Sequence, residues 1–363
     1  MFGSYPKEDV TFLLKDLSSL AIEKETNERE REIQSGTHYS EMLPVEYEPS
    51  QPYMELYHSS LQQFKKKVAV ASGVVAEQIL QRRGKNTVLI SLARAGTPIG
   101  VLIKRYLQQI HAVELPHYSI SIIRDRGIDQ NALQYILKRH PMDQWMFIDG
   151  WTGKGAITKE LTKSIKEFNA YYQTKISDEL AVLADPGYCS SLYGTREDFL
   201  IPSACLNSTI SGLVSRTVLN DKWIGKNDFH GAKYYQELAD RDVSNEYVDT
   251  ISSLFKEVRD EVHQQCRMIQ KQDQNPTWEG LASLKKIQKE FSIENINLIK
   301  PGVGETTRVL LRRVPWKILV RSKRHPDLEH ILFLAKDRDV EVIEYPGMKY
   351  ECCGIIQPLE KSK

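Results

Sequence analysis

The stretch WMFIDGWTGKGA, residues 145–156, decides the fold. Its apolar start indicates a buried strand, and Asp149 stands at the carboxyl end of that strand. Apolar residues at helical spacing then predict a helix from Ala156 to Tyr172. A glycine-rich turn between a strand and a helix presents backbone N–H groups and the positive end of a helix dipole, which suits a phosphate. The alternative is an ordinary turn that binds nothing.

This turn resembles the ribose-phosphate loop of type I phosphoribosyltransferases, in which a buried strand ends in acids and a T-G-x-T turn follows. Asp149 matches the first acid, and Gly150 stands where the second acid is usual. The resemblance implies that Asp149 orders the ribose of phosphoribosyl pyrophosphate or binds Mg²⁺. It also implies that the 5-phosphate is held by the residues of the turn, Thr152, Gly153, Lys154 and Gly155.

A second strand, predicted at residues 87–92, runs into the loop ARAGTPIG. In the same transferase family a loop of small residues at this place binds pyrophosphate, and Arg94, Ala95 and Gly96 match it. Close backbone approach and a nearby cation both favour an anion. A plain strand–helix turn with a surface arginine is the competing interpretation.

Two further predicted strands, residues 118–123 and 181–184, should reach the same edge of a parallel sheet. Arg124 and Arg126 follow the first of them, where transferases carry a mobile lid of catalytic cations. A solvated charged turn explains these arginines equally well. Asp185 ends the second strand and joins the expected phosphate site.

Composition sets broad limits on the protein. The 363 residues carry a formal net charge of +1, so any basic surface must be local. Five cysteines without framework spacing favour a reducing cytoplasm. The sequence shows neither a signal peptide nor an apolar run long enough to span a membrane. An oligomer is possible.

The pattern divides the chain into four parts. Residues 1–52 are an N-terminal extension in which Asp9 to Leu20 is predicted to be an amphipathic helix capped by Asp9. Residues 53–235 form the core and begin with a long helix up to Arg83. Residues 236–275 are a helical connector, and residues 276–358 form a separate domain. The expected fold class is α/β, with a phosphoribosyltransferase-like parallel sheet flanked by helices.

The hydroxyl-rich segment 193–220 offers a second chemistry. Cys205 is a candidate nucleophile if a base such as His230 approaches it and lowers the pKa of its thiol. The competing interpretation is a small buried apolar side chain, because a cysteine and a distant histidine share no readable spacing.

Four strings together resemble the StiP cysteine protease family of bacterial tellurite-resistance and stress-response clusters. They are SLARAGTPIG, FIDGWTGKGAIT, ADPGYCSSLYGTREDFLIPSACLNSTISGLVSRTVLN and KPGVGETTRVLLRRVPW. The resemblance runs from about Phe2 to Gln357. It implies a catalytic cysteine, for which local chemistry indicates Cys205.

The C-terminal part alternates strands and helices, which predicts a small α/β/α sandwich. It is similar to Pelota-type RNA-binding domains, whose G-a-N-E-v-T-K string begins the helix that enters bent RNA. Gly302, Glu305, Thr307 and Arg308 match that string, so the resemblance implies RNA contacts there. Lys300, Arg312 and Arg313 stand near Arg308 and make this a local basic end, which suits RNA phosphates. A module that only docks on the core is the alternative.

The sequence thus favours a phosphoribosyltransferase-like enzyme that binds phosphoribosyl pyrophosphate or a nucleotide with Mg²⁺. The first alternative is a cysteine protease that uses Cys205. The second is an RNA-binding or adaptor protein without catalysis.

Overall fold

The computed structural model describes residues 2–141 and 144–357. Its strands are β1 (Thr11–Leu13), β2 (Lys15–Asp16), β3 (Glu23–Lys24), β4 (Leu43–Pro44), β5 (Thr87–Ala93), β6 (His117–Ile123), β7 (Gly127–Ile128), β8 (Gln144–Trp151), β9 (Leu180–Ala184), β10 (Leu192–Thr195), β11 (Gly231–Ala232), β12 (Ile299–Pro301), β13 (Pro315–Val320), β14 (Glu341–Glu344) and β15 (Cys352–Ile356). Its α-helices are α1 (Thr26–Gln34), α2 (Gln51–Arg83), α3 (Gly96–His111), α4 (Gln130–Arg139), α5 (Ala156–Tyr172), α6 (Ser244–Ser252), α7 (Arg259–Gln270), α8 (Glu279–Glu290), α9 (Val303–Arg312) and α10 (Glu329–Asp337).

The core is a sheet in the order β1-β6-β5-β8-β9-β10, in which neighbouring strands are parallel and β7 adds to β6. The prediction of a parallel sheet flanked by helices is confirmed. The chain passes from β5 through α3 to β6, but from β8 through α5 to β9 on the other side. Because the connections leave β5 and β8 in opposite directions, a crevice opens between the carboxyl ends of these two strands.

The tips of β5 and β8 touch each other through glycines. A Cβ atom added to Gly96 would lie 2.4 Å from the carbonyl oxygen of Ile148, and one added to Gly150 would lie 3.2 Å from that of Ala95. Only glycine allows so close an approach at Gly96. The two loops that the sequence singles out therefore border one crevice.

The N-terminal segment differs from its prediction. Residues Thr11 to Leu13 form β1 and pair in parallel with β6, and β2 pairs with β11, so the predicted helix from Asp9 to Leu20 is wrong. Asp9 caps no helix there; its carboxylate instead binds Arg105, with Oδ2 2.6 Å from Nη2. Pairing with the sheet edge outweighs the local helical pattern, as tertiary context often does.

The helices around the core include the predicted connector. α6 and α7 pack against α2, and α6 also packs against α3. Within the described ranges, no helix is both long enough and apolar enough to cross a membrane.

The C-terminal domain is a sheet in the order β12-β15-β13-β14 with helices on both faces. Side chains of α8 pack with Leu319 and Cys353, while those of α9 and α10 pack with Ile318 and Cys352 and join the main core. Alternate residues of β13 and β15 thus face opposite helix layers. The predicted sandwich is present, although its second strand in sheet order, β15, was not predicted.

Asp198 fastens this domain to the core. Its Oδ1 accepts a hydrogen bond of 2.9 Å from the backbone N–H of Val303, the first residue of α9, and its Oδ2 accepts one of 2.9 Å from that of Glu351. Burial raises the pKa of Asp198 to about 7, although these two N–H donors lower it. A carboxylate at a helix start satisfies N–H groups that the helix itself leaves without partners.

Replacing Asp198 with alanine should lower the free energy of unfolding by about 2–4 kcal/mol, because two buried N–H groups lose their acceptor. Urea unfolding followed by tryptophan fluorescence measures the loss. The matched control is Glu197→Ala, which removes an exposed carboxylate 2.6 Å from the ammonium of Lys67 and should cost less than about 1 kcal/mol. Equal losses in the two variants would show that Asp198 does not fasten the C-terminal domain to the core.

Candidate functional site

A cavity of about 820 Å³ opens at the crevice between β5 and β8. The C-terminal domain closes its far side, and the segments 44–53 and 203–211 complete the wall. Charged residues from all of these parts border it: Arg29, Glu46, Glu48, Arg94, Asp149, Arg216, Lys300, Glu305, Arg308 and Arg313.

Asp149 lies at the end of β8 on the cavity wall. Burial raises the pKa of its carboxyl to about 7, against a hydrogen bond of 2.8 Å from the backbone N–H of Gly150. A carboxyl that titrates near neutral pH can both take and give a proton, which is the property of a general acid–base.

The loop after β5 has two parts: one borders the cavity, and the other packs against β8. Arg94 and Ala95 border the cavity, and an Nη1 of Arg94 lies 3.3 Å from the carbonyl oxygen of Val214 and 4.0 Å from the carboxylate of Glu46. Gly96 lies against Ile148, where it permits the contact between the two strand tips. The cation predicted in this loop therefore faces the cavity.

The turn after β8 was predicted to hold a phosphate. In the structure its residues contact the C-terminal part of the chain. The carbonyl oxygen of Gly153 accepts a hydrogen bond of 3.0 Å from Tyr350, and the ammonium of Lys154 lies 2.8 Å from Asn297 Oδ1. Gly155, with φ +73°, packs beside Trp278. Burial, together with the charge of Lys300, lowers the pKa of Lys154 to about 8. The C-terminal domain thus covers the turn.

The carboxylate of Asp185 binds groups of the protein itself. It accepts hydrogen bonds from the hydroxyl of Thr152, from the guanidinium of Arg196 and from two backbone N–H groups, those of Cys189 and Ser190, at 2.9 Å each. Burial raises the pKa of Asp185 and Arg196 opposes that rise. These contacts join the loops after β8 and β9, and neither Asp185 nor Thr152 borders the main cavity.

The arginines of the predicted lid contact the N-terminal segment. Arg126 binds the carboxylate of Glu41 at 2.7 Å. The guanidinium of Arg124 lies 5.4 Å from the ring centre of Tyr39, whose hydroxyl accepts a hydrogen bond from the backbone N–H of Arg124 at 3.0 Å. Neither side chain borders the cavity.

Cys205 lies directly behind the cavity wall. Its residue is 1% exposed, and its Sγ is 3.6 Å from the hydroxyl of Ser60 on α2. The proposed base is engaged elsewhere: Nδ1 of His230 lies 2.9 Å from the hydroxyl of Ser121, and its backbone N–H donates to Asp129 at 2.6 Å. Burial lowers the pKa of His230, so its imidazole is neutral at physiological pH.

The expected RNA contacts fall into three groups. Lys300, Glu305 and Arg308 border the cavity, and Arg308 donates to the carbonyl oxygen of Ala204 at 3.0 Å. Thr307 is buried and bonds to Val303 and His330, and Gly302 begins α9 with φ +90°. The side chain of Arg312 lies outside the described residues.

Sequence reasoning missed much of the charge in the cavity. Arg29 and Arg216 come from distant parts of the chain and no spacing links them, whereas Arg313 belongs to the basic end that the sequence indicated. Arg216 lies 5.0 Å from the ring centre of Tyr39, which also borders the cavity. The only available signal was the position of Arg216 in the hydroxyl-rich segment.

The fold defines an α/β protein with a cavity, bordered by charged residues, between its core and a small C-terminal domain. The family described as "Tellurite-like stress resistance cysteine protease StiP" matches residues 3–252, and the Pelota RNA-binding domain matches residues 278–358. The protein "Cysteine protease StiP" of Acinetobacter baylyi (strain ATCC 33305 / BD413 / ADP1) is 36% identical over 372 residues, covering 99% of this chain and 95% of its own. The chain therefore belongs to the StiP family.

A solved structure, the histidinol-phosphate aminotransferase from Clostridium acetobutylicum, aligns with 95% of this chain and 92% of its own at 12% identity. Its TM-score of 0.23 supports no structural conclusion.

These matches confirm the StiP and Pelota resemblances and correct the main functional prediction. The interpretation as a phosphoribosyltransferase that binds phosphoribosyl pyrophosphate is wrong, because the matching family and the similar relative are both described as cysteine proteases. The contacts of the turn 152–155 give a physical reason, since the carbonyl oxygen of Gly153 and the ammonium of Lys154 both bind residues of the C-terminal domain. The Mg²⁺ expected at Asp149 stays a prediction; the described part of the chain holds no cluster of three potential acid, thiol or imidazole ligands.

The raised pKa of Asp149 predicts a pH-dependent stability. An acid whose pKa is higher in the folded state binds its proton more tightly there, so stability is lost as pH rises from about 4 towards 7. Asp149→Asn keeps the acceptor for Gly150 and removes the charge. Relative to the wild type, it should gain about 1–3 kcal/mol of unfolding free energy between about pH 5 and about pH 8.5.

Urea unfolding at the two pH values measures this gain. Glu237→Gln, an exposed carboxyl, is the control and should follow the wild type. Parallel curves for the wild type and Asp149→Asn would show that the carboxyl of Asp149 is not desolvated.

Proposed function

We propose that this protein is a cysteine protease of the stress response, that Cys205 is its nucleophile and that the cavity is its substrate site. One observation carries the proposal. Within the described residues, Cys205 is the cysteine whose chain neighbours border the cavity, namely Ser203, Leu206 and Asn207. Free thiols suit the reducing cytoplasm in which we place the protein.

The other four cysteines in the described part of the chain neither border the cavity nor have immediate chain neighbours that do. Burial raises the pKa of Cys189 to about 12 and that of Cys266 to about 11, and burial also raises the pKa values of Cys352 and Cys353. Cys205 is as buried as Cys189, Cys352 and Cys353, so its place beside the cavity, and not its burial, distinguishes it from them.

In the proposed reaction the thiolate of Cys205 attacks a peptide carbonyl carbon. A thioester forms, the C–N bond breaks, and the amine leaves after it takes a proton. Water then hydrolyses the thioester, which frees the new carboxyl end and restores the thiol. Asp149 borders the same cavity with a pKa of about 7, so we assign to it, rather than to His230, the transfer of these protons.

The burial of Cys205 sets a condition on this chemistry. Its thiol lies behind the wall beside Ser60, so it reaches a bound peptide only when the segment 203–211 moves or the side chain turns towards the cavity. Such a step makes the enzyme slow to react with small alkylating agents until a substrate occupies the cavity.

Replacing Cys205 with alanine should abolish cleavage of unfolded casein, because the acyl-enzyme cannot form. Cys266→Ser is the control: this thiol is partly exposed on α7, and its loss should leave cleavage within about twofold of the wild type. Gel analysis of casein fragments measures the activity, and thermal melting verifies folding. Full activity in Cys205→Ala, with activity lost in another cysteine variant, would reassign the nucleophile.

A second proposed function is RNA binding by the C-terminal domain, which the match to the Pelota RNA-binding domain favours. Lys300 lies in β12, just before the resembling string, and Arg308 lies in α9, within that string. Both residues border the cavity. Cations of this kind supply the salt-sensitive part of RNA affinity through phosphate contacts.

A further inference from the structure

We propose that the cavity between the core and the C-terminal domain receives a single-stranded end of RNA, with Arg216 of the core and Lys300 of the domain holding its phosphates. This inference rests on the second proposed function and not on the first, whose peptide would occupy the same cavity, and it adds core residues to the RNA site. It also restricts the RNA to an unpaired end.

The cavity has an excess of positive charge. Six cations from three parts of the chain border it, together with four acids: Arg29, Arg94, Arg216, Lys300, Arg308 and Arg313 against Glu46, Glu48, Asp149 and Glu305. Glu305 binds Arg308 at 2.9 Å, and Glu48 binds Arg241 outside the cavity. Asp149 is partly protonated near neutral pH. The acids therefore offset only part of the positive potential.

Arg216 and Lys300 experience this potential most directly. Burial, and after it the charges of Arg29 and Arg94, lower the pKa of Arg216 to about 10. Burial also lowers the pKa of Lys300; Glu305 opposes that change, while Arg313 and Arg216 add to it. Like charges held close together destabilise a folded protein unless a ligand of opposite charge neutralises them.

The cavity wall also offers rings on which bases can stack. Tyr39, Tyr47, Tyr53 and Trp151 border it, and Tyr47 is 63% exposed. Arg308 lies 5.1 Å from the ring centre of Trp151, which pairs a phosphate-binding cation with an aromatic surface. Positive grooves lined by aromatic side chains are typical of proteins that bind single strands. An acidic peptide would use the cations and leave the rings without a role.

The geometry excludes a duplex from the site. The start of α9, which would meet bent RNA in the resembling domains, is capped by Asp198 and packed on the core, where Gly304 faces Ala204. A volume of about 820 Å³ is that of a small-molecule pocket, so only an unpaired end of a strand can enter.

The experiment measures binding of labelled RNA by fluorescence anisotropy. The probes are a single strand of about ten nucleotides with a free 5′-phosphate and a 3′-label, and a blunt hairpin of the same length. The full-length wild type should bind the single strand with an affinity that falls steeply with salt. It should bind the hairpin at least about tenfold more weakly.

Arg216→Gln and Lys300→Gln should each weaken single-strand binding by about tenfold and reduce the salt dependence by about one phosphate contact. Lys323→Gln, an exposed lysine of the same domain, is the control and should bind like the wild type. Thermal melting shows which variants are folded. If Arg216→Gln unfolds, Arg216→Lys and Lys300→Gln carry the test.

Each outcome supports or overturns a named claim. A wild type that binds neither probe overturns RNA binding itself. Wild-type binding that survives in the Arg216 and Lys300 variants places the RNA elsewhere and overturns only the cavity site. Equal binding of the hairpin overturns the single-strand requirement. An acidic peptide that binds in an Arg216-dependent manner, without RNA binding, makes the cavity a peptide site.

Discussion

The carboxylate of Asp198 is the constraint on which the cavity depends. It joins the start of α9 and the residue before β15 to one point of the core, so the C-terminal domain cannot turn without losing both bonds. This attachment brings Lys300 and Arg308 to the cavity wall. It also seats Tyr350 and Asn297 over the turn 152–155, which a transferase would keep open for its substrate.

The core supplies the other half of the site through its strand order. Because the connections after β5 and β8 run in opposite directions, Arg94 and Asp149 border one crevice whatever chemistry takes place there. A glycine-bearing loop at the carboxyl end of each of these two strands explains why the sequence resembled a transferase. The segment 203–211 beside them, with Cys205 behind it, lies within residues 3–252, which match the StiP family.

Prediction from the sequence succeeded where local pattern and burial agree. Helix α5 follows from apolar residues at helical spacing, and strands β5 and β9 follow from short runs of apolar residues, which the sheet buries. β1 was missed because its pairing with β6 lies over 100 residues away, and β15 because its short Cys352–Ile356 run carries a glycine. In the site, Arg94 and Asp149 were found on motifs. Arg29 and Arg216 lie far apart in the sequence and come together only when the cavity forms, so no sequence spacing could reveal them.

The place of β15 in its sheet governs the order in which the molecule is assembled. β15 lies between β12 and β13, although it is synthesised after both. On the ribosome, the core can therefore fold while the C-terminal sheet still lacks the strand that joins its two parts. The wall that carries Lys300 and Arg308 closes only after β15 has emerged, so a nascent chain that stalls earlier displays an open, unfinished crevice to chaperones.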